Sequence, residues 1–382
     1  MSPLESLFKS SKIQLRNRVV MAPMTRNKSP GHVPNANNIA YYKKMAEGGV
    51  ALVITEGTCV NHVASQGYPD VPNFFGEDAL NGWKKVIEAV HGAGAKFFPQ
   101  LWHVGSIRQS KDCNMPVADN PSGHCSAHKH IGIAPSAIPH PYIKGGEVPK
   151  EMDHEDIDAT IKAFAEGAKD AQRIGCDGIE IHGAHGYLID QFFWIRTNHR
   201  EDGYGGKTLK ERSRFAKEIV EGVRQAVGPD FPICFRLSQW KMGFYEDRIA
   251  NTPEELNDLV TILSQAGVDI FHCSQRRFFD PEFPGSDLNL AGWVKKMTGK
   301  PTITVGSVGL DKDFVTGVDE ACGACFPKEK LGYLNHCLKN GDYDLVAVGR
   351  ALLADSQWPT KVFKSDYESI LPFTPESLNR YP

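Results

Sequence analysis

The sequence predicts an α/β fold, a single (β/α)8 TIM barrel domain over residues 1–382. Eight short apolar runs rich in Val, Ile and Phe recur along the chain, and most precede an amphipathic helical stretch. Continuous apolar strands covered by helices indicate a parallel sheet buried on both faces, and eight such units favour a closed barrel. An open doubly wound sheet is the alternative, although no Gly-x-Gly-x-x-Gly turn follows the first run.

The predicted strands and helices alternate in order. The strands are Val19–Pro23, Ala51–Glu56, Lys96–Leu101, Gly178–His182, Ile233–Ser238, Val268–Ser274, Thr302–Gly306 and Asp344–Gly349. The helices are Asn37–Glu47, Glu77–Ala93, His154–Ile174, Leu209–Val227, Pro253–Ala266, Leu288–Thr298, Lys312–Val318 and the segment after Arg350. In the fourth helix an apolar side chain recurs at every fourth residue from Phe215, with charged residues between, as in an amphipathic helix.

Two segments depart from this alternation. Residues 1–18 place Leu7-Phe8 and Ile13-Gln-Leu15 around a polar turn, which predicts a hairpin at the amino-terminal end of the barrel. Residues 106–151, after the third strand, are rich in Pro, Gly, His and Ser and show no helical period. A loop of this length in a compact domain is usually functional or disordered. Because it leaves the carboxyl end of a strand, we predict a long lid over the barrel mouth.

Composition and charge exclude several classes of protein. Hydrophobic residues make up 41% and charged residues 23% of the chain, which is typical of a soluble globular protein. The net charge of -3 predicts neither a nucleic-acid partner nor binding to an acidic membrane surface. We find no signal peptide and no apolar run long enough to span a bilayer. These observations predict a cytoplasmic protein without a membrane partner.

The nine cysteines are interpreted as free thiols. Their number is odd, and Cys234 and Cys273 lie inside predicted strands, which suits a reducing compartment better than a disulfide framework. Cys322-Gly-Ala-Cys325 could be a zinc or redox pair, but no second Cys-x-x-Cys follows it. A loop insertion with two free thiols is the favoured interpretation, and no metal is predicted.

The seventh and eighth strands end in a pattern that suggests a phosphate site. Barrels often bind phosphate with the loops after these two strands. Gly306 and Gly349 let the backbone approach an anion closely, and Arg350 adds a positive fork. Ordinary glycine-containing turns are the alternative.

The fourth strand ends in the cluster His182, His185 and Tyr187. The intervening Gly183-Ala184 indicates a strand-to-helix turn, where two imidazoles could donate jointly to a carbonyl oxygen and the tyrosine could supply a proton. Two structural histidines, or half of a metal site, are the alternatives, but no third ligand is obviously placed.

Arg236, at the end of a buried strand, requires an anionic or electron-rich partner.

These residues together resemble the old yellow enzyme family of FMN-dependent ene-reductases, over essentially the whole chain. The markers are Ala22-Pro-Met-Thr-Arg26, Thr55-Glu-Gly57, Gln100-Leu-Trp102, His182-Gly-Ala-His-Gly-Tyr187, Asn198-His-Arg-Glu-Asp-Gly-Tyr-Gly-Gly206, Phe235-Arg236, Val305-Gly306 and Val348-Gly-Arg350. The resemblance implies non-covalent FMN, NAD(P)H as electron donor, and reduction of the C=C bond of α,β-unsaturated carbonyl or nitro compounds. It implies a small-molecule substrate and a monomer or homo-oligomer.

The resemblance also implies roles for individual residues. The implied cofactor-binding residues are Pro23, Met24, Thr25, Gly57, Gln100, His182, Arg236, Val305, Gly306, Ser307, Gly349 and Arg350. The implied substrate-binding residues are His182, His185, Tyr187, Trp102, Tyr68 and Arg276, of which the two histidines bind the carbonyl oxygen and Tyr187 protonates Cα. Two rivals remain: a barrel lyase using Lys241 or Lys96 as a Schiff base, and a non-catalytic flavin-storage protein.

Overall fold

The computed structural model describes residues 2–109, 131–311 and 328–381. The strands in these ranges are β1 (Phe8–Lys9), β2 (Gln14–Leu15), β3 (Val19–Met21), β4 (Leu52–Cys59), β5 (Lys96–Trp102), β6 (Ile133–Ala134), β7 (Lys150–Glu151), β8 (Ile179–His182), β9 (Ile233–Ser238), β10 (Ile270–Ser274), β11 (Thr302–Val305) and β12 (Leu345–Val348). Eight of them close into a parallel barrel in the order β3-β4-β5-β8-β9-β10-β11-β12, and β12 pairs with β3. The predicted barrel is confirmed, and the open sheet was the wrong alternative.

Helices cover the outside of the barrel. In the described ranges they are α1 (Ala36–Glu47), α2 (Glu77–Gly92), α3 (His154–Arg173), α4 (Leu188–Phe193), α5 (Leu209–Arg212), α6 (Arg214–Val227), α7 (Pro253–Ala266), α8 (Leu290–Thr298), α9 (Lys328–Asn340), α10 (Arg350–Ala354) and α11 (Trp358–Phe363). We predicted neither α4 nor α9. The predicted helix at 312–318 and the Cys322/Cys325 pair lie outside the described residues. No described helix combines the length and apolar character that a membrane crossing requires.

The predicted helix Leu209–Val227 was wrong as one element, because it breaks at Ser213. The Ser213 hydroxyl donates to the Lys210 carbonyl oxygen at 2.6 Å, a local bond that competes with helix continuation. Downstream, α6 packs between α3 and α7. Its residues Phe215, Ile219 and Val223 are fully buried. Burial of each such side chain contributes ~1.5–3 kcal/mol to the stability of the fold.

The amino-terminal hairpin is present as predicted. β1 and β2 pair antiparallel, with Phe8 opposite Leu15. Phe8, Ile13 and Leu15 are buried in one apolar cluster with strand residues that include Val20 and Ile54. The hairpin therefore packs against the strands near the amino-terminal end and leaves the opposite end for the site.

The predicted lid is described only in part, because residues 110–130 lie outside the described ranges. Its described part contains a 3-10 turn at Gly105–Ile107 and the short parallel pair β6 and β7. His140 in this segment forms a 2.9 Å hydrogen bond from Nε2 to the carbonyl oxygen of Gly186. This part of the loop therefore contacts the turn that follows β8.

Candidate active site at the barrel mouth

A cavity of about 360 Å³ opens at the carboxyl ends of the barrel strands. This size falls within the usual range of small-molecule and cofactor pockets. The predicted site residues that line it are Pro23, Met24, Thr25, His185, Arg236, Arg276, Val305, Gly306, Ser307, Gly349 and Arg350. Residues at and after the carboxyl ends of several barrel strands thus meet around one space, as the barrel topology requires.

Four of the remaining predicted residues form an aromatic layer beside this cavity: Tyr68, Trp102, His182 and Tyr187. Trp102 stacks on Tyr68 with ring centroids 5.5 Å apart, and on His182 at 6.0 Å. Tyr187 meets Trp102 edge-on at 4.8 Å and His182 at 5.0 Å. The rings of His182 and His185 lie 5.3 Å apart. Because His185 also lines the cavity, the layer and the cavity share a wall.

The position of Gly57 requires a glycine for a packing reason that the sequence did not reveal. A Cβ atom at this position would lie 2.3 Å from the Trp102 ring. The glycine therefore allows the indole to lie against the backbone of β4, which places that ring between Tyr68 and His182. Any larger residue would displace the aromatic layer.

The loop after β11 makes a tight turn with two consecutive positive φ angles. Gly306 has φ +144° and Ser307 has φ +53°, and a Cβ on Gly306 would lie 2.5 Å from the carbonyl oxygen of Gln275. Only glycine accommodates this combination of backbone angle and close approach. The Ser307 hydroxyl donates to the Arg276 carbonyl oxygen at 3.0 Å. With Arg350 on the same cavity wall, the backbone and the guanidinium suit a phosphate.

Both histidines of the cluster are neutral at physiological pH. Burial lowers the pKa of His182 to about 3, and the charge of Arg236 contributes to this shift. Burial and the charge of Arg236 also lower the pKa of His185 well below its usual value. The Ala184 N–H donates to His182 Nδ1 at 3.3 Å, so the ring proton sits on Nε2 and can be donated to a ligand. His185 Nε2 lies 2.8 Å from the Ser274 hydroxyl.

Tyr187 is held in its protonated form. Burial, and then the neighbouring Tyr68, raise its pKa well above the usual value of 10. The two phenol oxygens lie 3.1 Å apart. A buried phenol with this pKa is a proton donor throughout the physiological pH range.

Arg236 belongs to a buried polar network that sequence reasoning missed. Glu180 accepts a hydrogen bond from Gln100 Nε2 at 2.7 Å and from His272 Nδ1 at 2.6 Å. Glu180 and His272 are fully buried, and Glu180 offsets the guanidinium charge. Arg236 Nε is itself buried and has no hydrogen-bond partner within the described ranges. An unpaired buried donor is costly, so this atom fits a ligand at the mouth that accepts a hydrogen bond.

The two lysines considered for Schiff-base chemistry are placed elsewhere. Lys96 begins β5 at the amino-terminal end of the barrel and pairs with Asp177 at 2.7 Å. Lys241 is fully buried against Asp190, with Nζ 2.7 Å from the carboxylate oxygen. Neither lysine is among the residues lining the cavity. This removes the specific support for the lyase interpretation.

Several cavity residues were not predicted. Trp240 and Ser274 come at or just after strand ends, so their positions in the sequence could have identified them. Phe373 and Leu378 come from the carboxyl-terminal segment, which carried no sequence signal for this site. Their placement depends on tertiary contacts of that segment with the rest of the chain.

Arg26 links the loop after β3 to the carboxyl-terminal segment. Its Nη2 donates to the carbonyl oxygens of Leu378 and Arg380, each at 2.9 Å. Its guanidinium carbon lies 5.4 Å from the Tyr41 ring centroid and 5.5 Å from that of Tyr381, and these two rings stack on each other. Its backbone N–H donates to Glu56 at 2.9 Å. This arrangement holds the backbone beside Thr25 on the cavity wall.

Glu56→Gln is expected to stabilise the protein at alkaline pH. Burial raises the pKa of Glu56 from 4.5 to about 7. A carboxyl whose pKa rises on folding contributes most below pH 4.5, and that contribution is lost as the pH rises through 7. Glutamine keeps an acceptor for the Arg26 N–H but cannot ionise. We expect a gain of about 3 kcal/mol in the free energy of unfolding at pH 8 and a small one at pH 5.

Denaturant unfolding at the two pH values measures this difference. Glu47→Gln, on an exposed residue of α1, is the control and should change stability little at either pH. An equal gain at pH 5 and pH 8 would contradict the assigned ionisation.

A closed parallel barrel, with a tight glycine-containing turn after β11 and a histidine–tyrosine wall at its mouth, is typical of a barrel enzyme whose site lies at the carboxyl ends of the strands. The family model of the NADH:flavin oxidoreductase / NADH oxidase family matches residues 6–320, and the chain belongs to this family. The resemblance to the old yellow enzymes is thereby confirmed. The predicted FMN cofactor and nicotinamide electron donor are confirmed at the level of the family, whose description names a flavin and NADH.

Curated relatives cover nearly all of the chain. It is 37% identical over 370 residues to 12-oxophytodienoate reductase 1 of Oryza sativa subsp. japonica, which covers 94% of this chain and 85% of that protein. It is 34% identical over 374 residues to an NADH oxidase of Thermoanaerobacter brockii, but the chain spans only 51% of that protein's length. A solved structure of morphinone reductase superposes with a TM-score of 0.76 at 24% identity, covering 99% of this chain and 93% of that one, which supports the fold.

Proposed function

We propose that this chain is an ene-reductase, which uses NAD(P)H to reduce the activated C=C bond of small α,β-unsaturated carbonyl or nitro compounds. One observation carries the proposal. Two neutral histidines and a protonated tyrosine, His182, His185 and Tyr187, lie on one wall of the barrel mouth, with the His182 ring 5.3 Å from that of His185 and 5.0 Å from that of Tyr187. Neutral imidazoles suit a carbonyl or nitro oxygen, and a high-pKa phenol suits proton delivery to carbon.

The residues of the chain would act on the substrate in a defined way. His182 Nε2–H and His185 donate hydrogen bonds to the substrate oxygen, and electron density moves from the C=C bond towards that oxygen. Cβ thereby becomes electrophilic. FMN, when bound, supplies the hydride that Cβ accepts. Tyr187 donates its proton to Cα, so that one hydride and one proton saturate the bond, and Trp102 and Tyr68 limit the space around the substrate.

The residues present fit FMN. We propose that Ser307, Gly306, Gly349 and Arg350 hold its phosphate, where the left-handed loop and the guanidinium meet. In this proposal, the unpartnered Nε of Arg236 donates a hydrogen bond to the pyrimidine edge of the flavin ring, which carries several acceptor atoms. The flanking residues proposed to contact the ring are Pro23, Met24, Thr25, Gly57, Gln100, His182 and Val305.

The proposal is tested with the purified protein under anaerobic conditions. We expect a yellow protein whose flavin is bleached by NADH or NADPH and recovers its colour on addition of cyclohexenone, a nitroalkene or maleimide. A flavin that is reoxidised by oxygen but by none of these acceptors would contradict an ene-reductase and favour an NADH oxidase. A protein whose flavin no nicotinamide reduces would favour storage, and a colourless protein that does not take up FMN would contradict the cofactor.

Arg26→Met is expected to weaken FMN retention by about tenfold. The substitution removes two charge-assisted hydrogen bonds to the carboxyl-terminal segment, which places Phe373 and Leu378 on the cavity wall. The fluorescence of FMN released on dilution measures this loss. Arg380→Met is the control, because Arg380 lies in the same segment and its side chain makes only a 3.4 Å contact to Ala354 among the hydrogen bonds described. Equal release from both variants would contradict the role of Arg26.

A further inference from the structure

The turn that carries His185 and Tyr187 has an unusual backbone. His185 has φ +62° and Gly186 has φ +85°, so two consecutive residues lie in the left-handed region. This region is uncommon for a residue other than glycine and persists only where surrounding contacts enforce it. Contacts outside the turn must therefore hold the conformation that aims the two side chains.

A buried ion pair lies directly behind this turn. Lys241 Nζ donates to Asp190 Oδ1 at 2.7 Å, and both side chains are fully buried. The other carboxylate oxygen, Asp190 Oδ2, accepts the Gly186 N–H at 2.7 Å. One oxygen of the carboxylate thus binds the lysine, and the other binds the backbone of the left-handed turn.

Further contacts join the same two segments. The His185 N–H donates to the Ser238 hydroxyl oxygen at 2.9 Å, and the Met242 N–H donates to the His185 carbonyl oxygen at 3.3 Å. The Trp240 ring stacks on the His185 ring with centroids 4.4 Å apart. The loop after β9 therefore contacts the turn on both sides of the ion pair.

We propose that Lys241 and Asp190 are positioning residues, whose buried pair holds the turn so that His185 and Tyr187 face the substrate. A buried ion pair is often replaceable by apolar residues without loss of stability, so stability alone does not account for it. The Gly186 N–H bond gives the carboxylate a specific partner in the turn. This inference rests on the proposed ene-reductase function.

Two double variants separate geometry from stability. K241M/D190L replaces the pair with apolar side chains and removes the acceptor for the Gly186 N–H. K241Q/D190N removes both charges, but the two introduced amides can still hydrogen-bond to each other, and the shorter one can still accept the Gly186 N–H. K295M/D344L is the matched control, because Lys295 and Asp344 form a lysine–aspartate pair of the same 2.7 Å length beside the amino-terminal end of β12.

Each variant is measured for its unfolding midpoint, FMN affinity, phenol affinity and rate of reoxidation by cyclohexenone. We expect K241M/D190L to keep FMN affinity within about threefold of the parent chain, and to lose at least about 30-fold in both phenol affinity and reoxidation rate. K241Q/D190N should stay within about fivefold in FMN affinity, phenol affinity and reoxidation rate. The control should keep all three at the parental level, whatever its unfolding midpoint, because D344L also removes an acceptor for the Thr302 N–H.

Three results would overturn the inference. They are parental phenol affinity and reoxidation in K241M/D190L, equal losses in both double variants, or the same loss in the control. If K241M/D190L does not fold, D190N alone replaces it: weakened phenol binding that K241Q/D190N restores supports the inference, and equal binding in the two overturns it. A parent chain that binds FMN but reacts with no enone would refute the proposed function instead.

Discussion

Replacing Tyr187 with phenylalanine is expected to slow reoxidation of the reduced protein by cyclohexenone by about 10²- to 10⁴-fold, the usual contribution of a general acid. The substitution removes only the phenol oxygen and keeps the edge-on contact of the ring with Trp102. Reduction by NAD(P)H needs no proton from this residue and should change less than about threefold. Stopped-flow measurement of the two half-reactions separates them.

Tyr68→Phe is the matched control for this prediction. It removes the hydroxyl that lies 3.1 Å from the Tyr187 oxygen but leaves the proposed proton donor in place, so its effect on reoxidation should be much smaller. Because the pKa of Tyr187 lies well above 10, the parent reoxidation rate should not fall between about pH 6 and pH 9. Equal slowing of both half-reactions in Tyr187→Phe would show that the residue is not the proton donor.

The barrel and much of its mouth could be predicted from sequence because both depend on residues that are neighbours in the chain. A buried parallel strand must be apolar along its length, so each strand appeared as a run. The carboxyl end of each strand appeared where that run gave way to polar residues, as at His182 or Arg236. Since all eight ends meet at one face, identifying them was enough to assemble most of the cavity wall.

The buried network beneath the mouth was missed because its members lie within runs that look apolar. Glu180 occupies the middle of Ile179–His182, and His272 the middle of Ile270–Ser274. A charged residue inside a fully buried strand is costly unless paired, and that cost is the signal that could have identified Glu180. The sequence could not show that its partners are Gln100 and His272, which lie 80 and 92 positions away. Gln100 is opposite Glu180 on the neighbouring strand, and His272 reaches it from two strands away in the closed barrel.

The contribution of the carboxyl-terminal segment could not have been predicted from local pattern. Its contacts with Arg26 span more than 350 residues and use backbone carbonyl oxygens, which every residue possesses. The same applies to Lys241 and Asp190, whose pairing depends on how two segments distant in sequence approach each other. Side-chain chemistry at strand ends is visible in a sequence, whereas the contacts that orient those side chains arise only in the folded chain.

Replacing His182 and His185 together with alanine is expected to weaken binding of a para-substituted phenol over the flavin by about 100-fold. Each imidazole is neutral at physiological pH, so each contributes a hydrogen bond of ordinary strength, about 1 kcal/mol and somewhat more to a phenolate oxygen. Loss of the charge-transfer colour in a phenol titration measures the change. FMN affinity should change only a few-fold, because the proposed phosphate site lies in the loops after β11 and β12.

The chain offers a conservative variant and a remote control for this test. His185→Asn keeps a side-chain donor at the second position and should retain phenol binding within about fivefold. His91→Ala is the remote control. His91 pairs at 2.7 Å with Asp177, which lies two residues before β8, at the other end of the barrel. This variant should leave phenol binding unchanged. Unaltered charge-transfer colour in the double alanine variant would contradict the carbonyl-binding role of the two histidines. The substrate oxygen would then be held elsewhere, where these imidazoles could not polarise it. Tyr187 would also no longer be aligned with Cα.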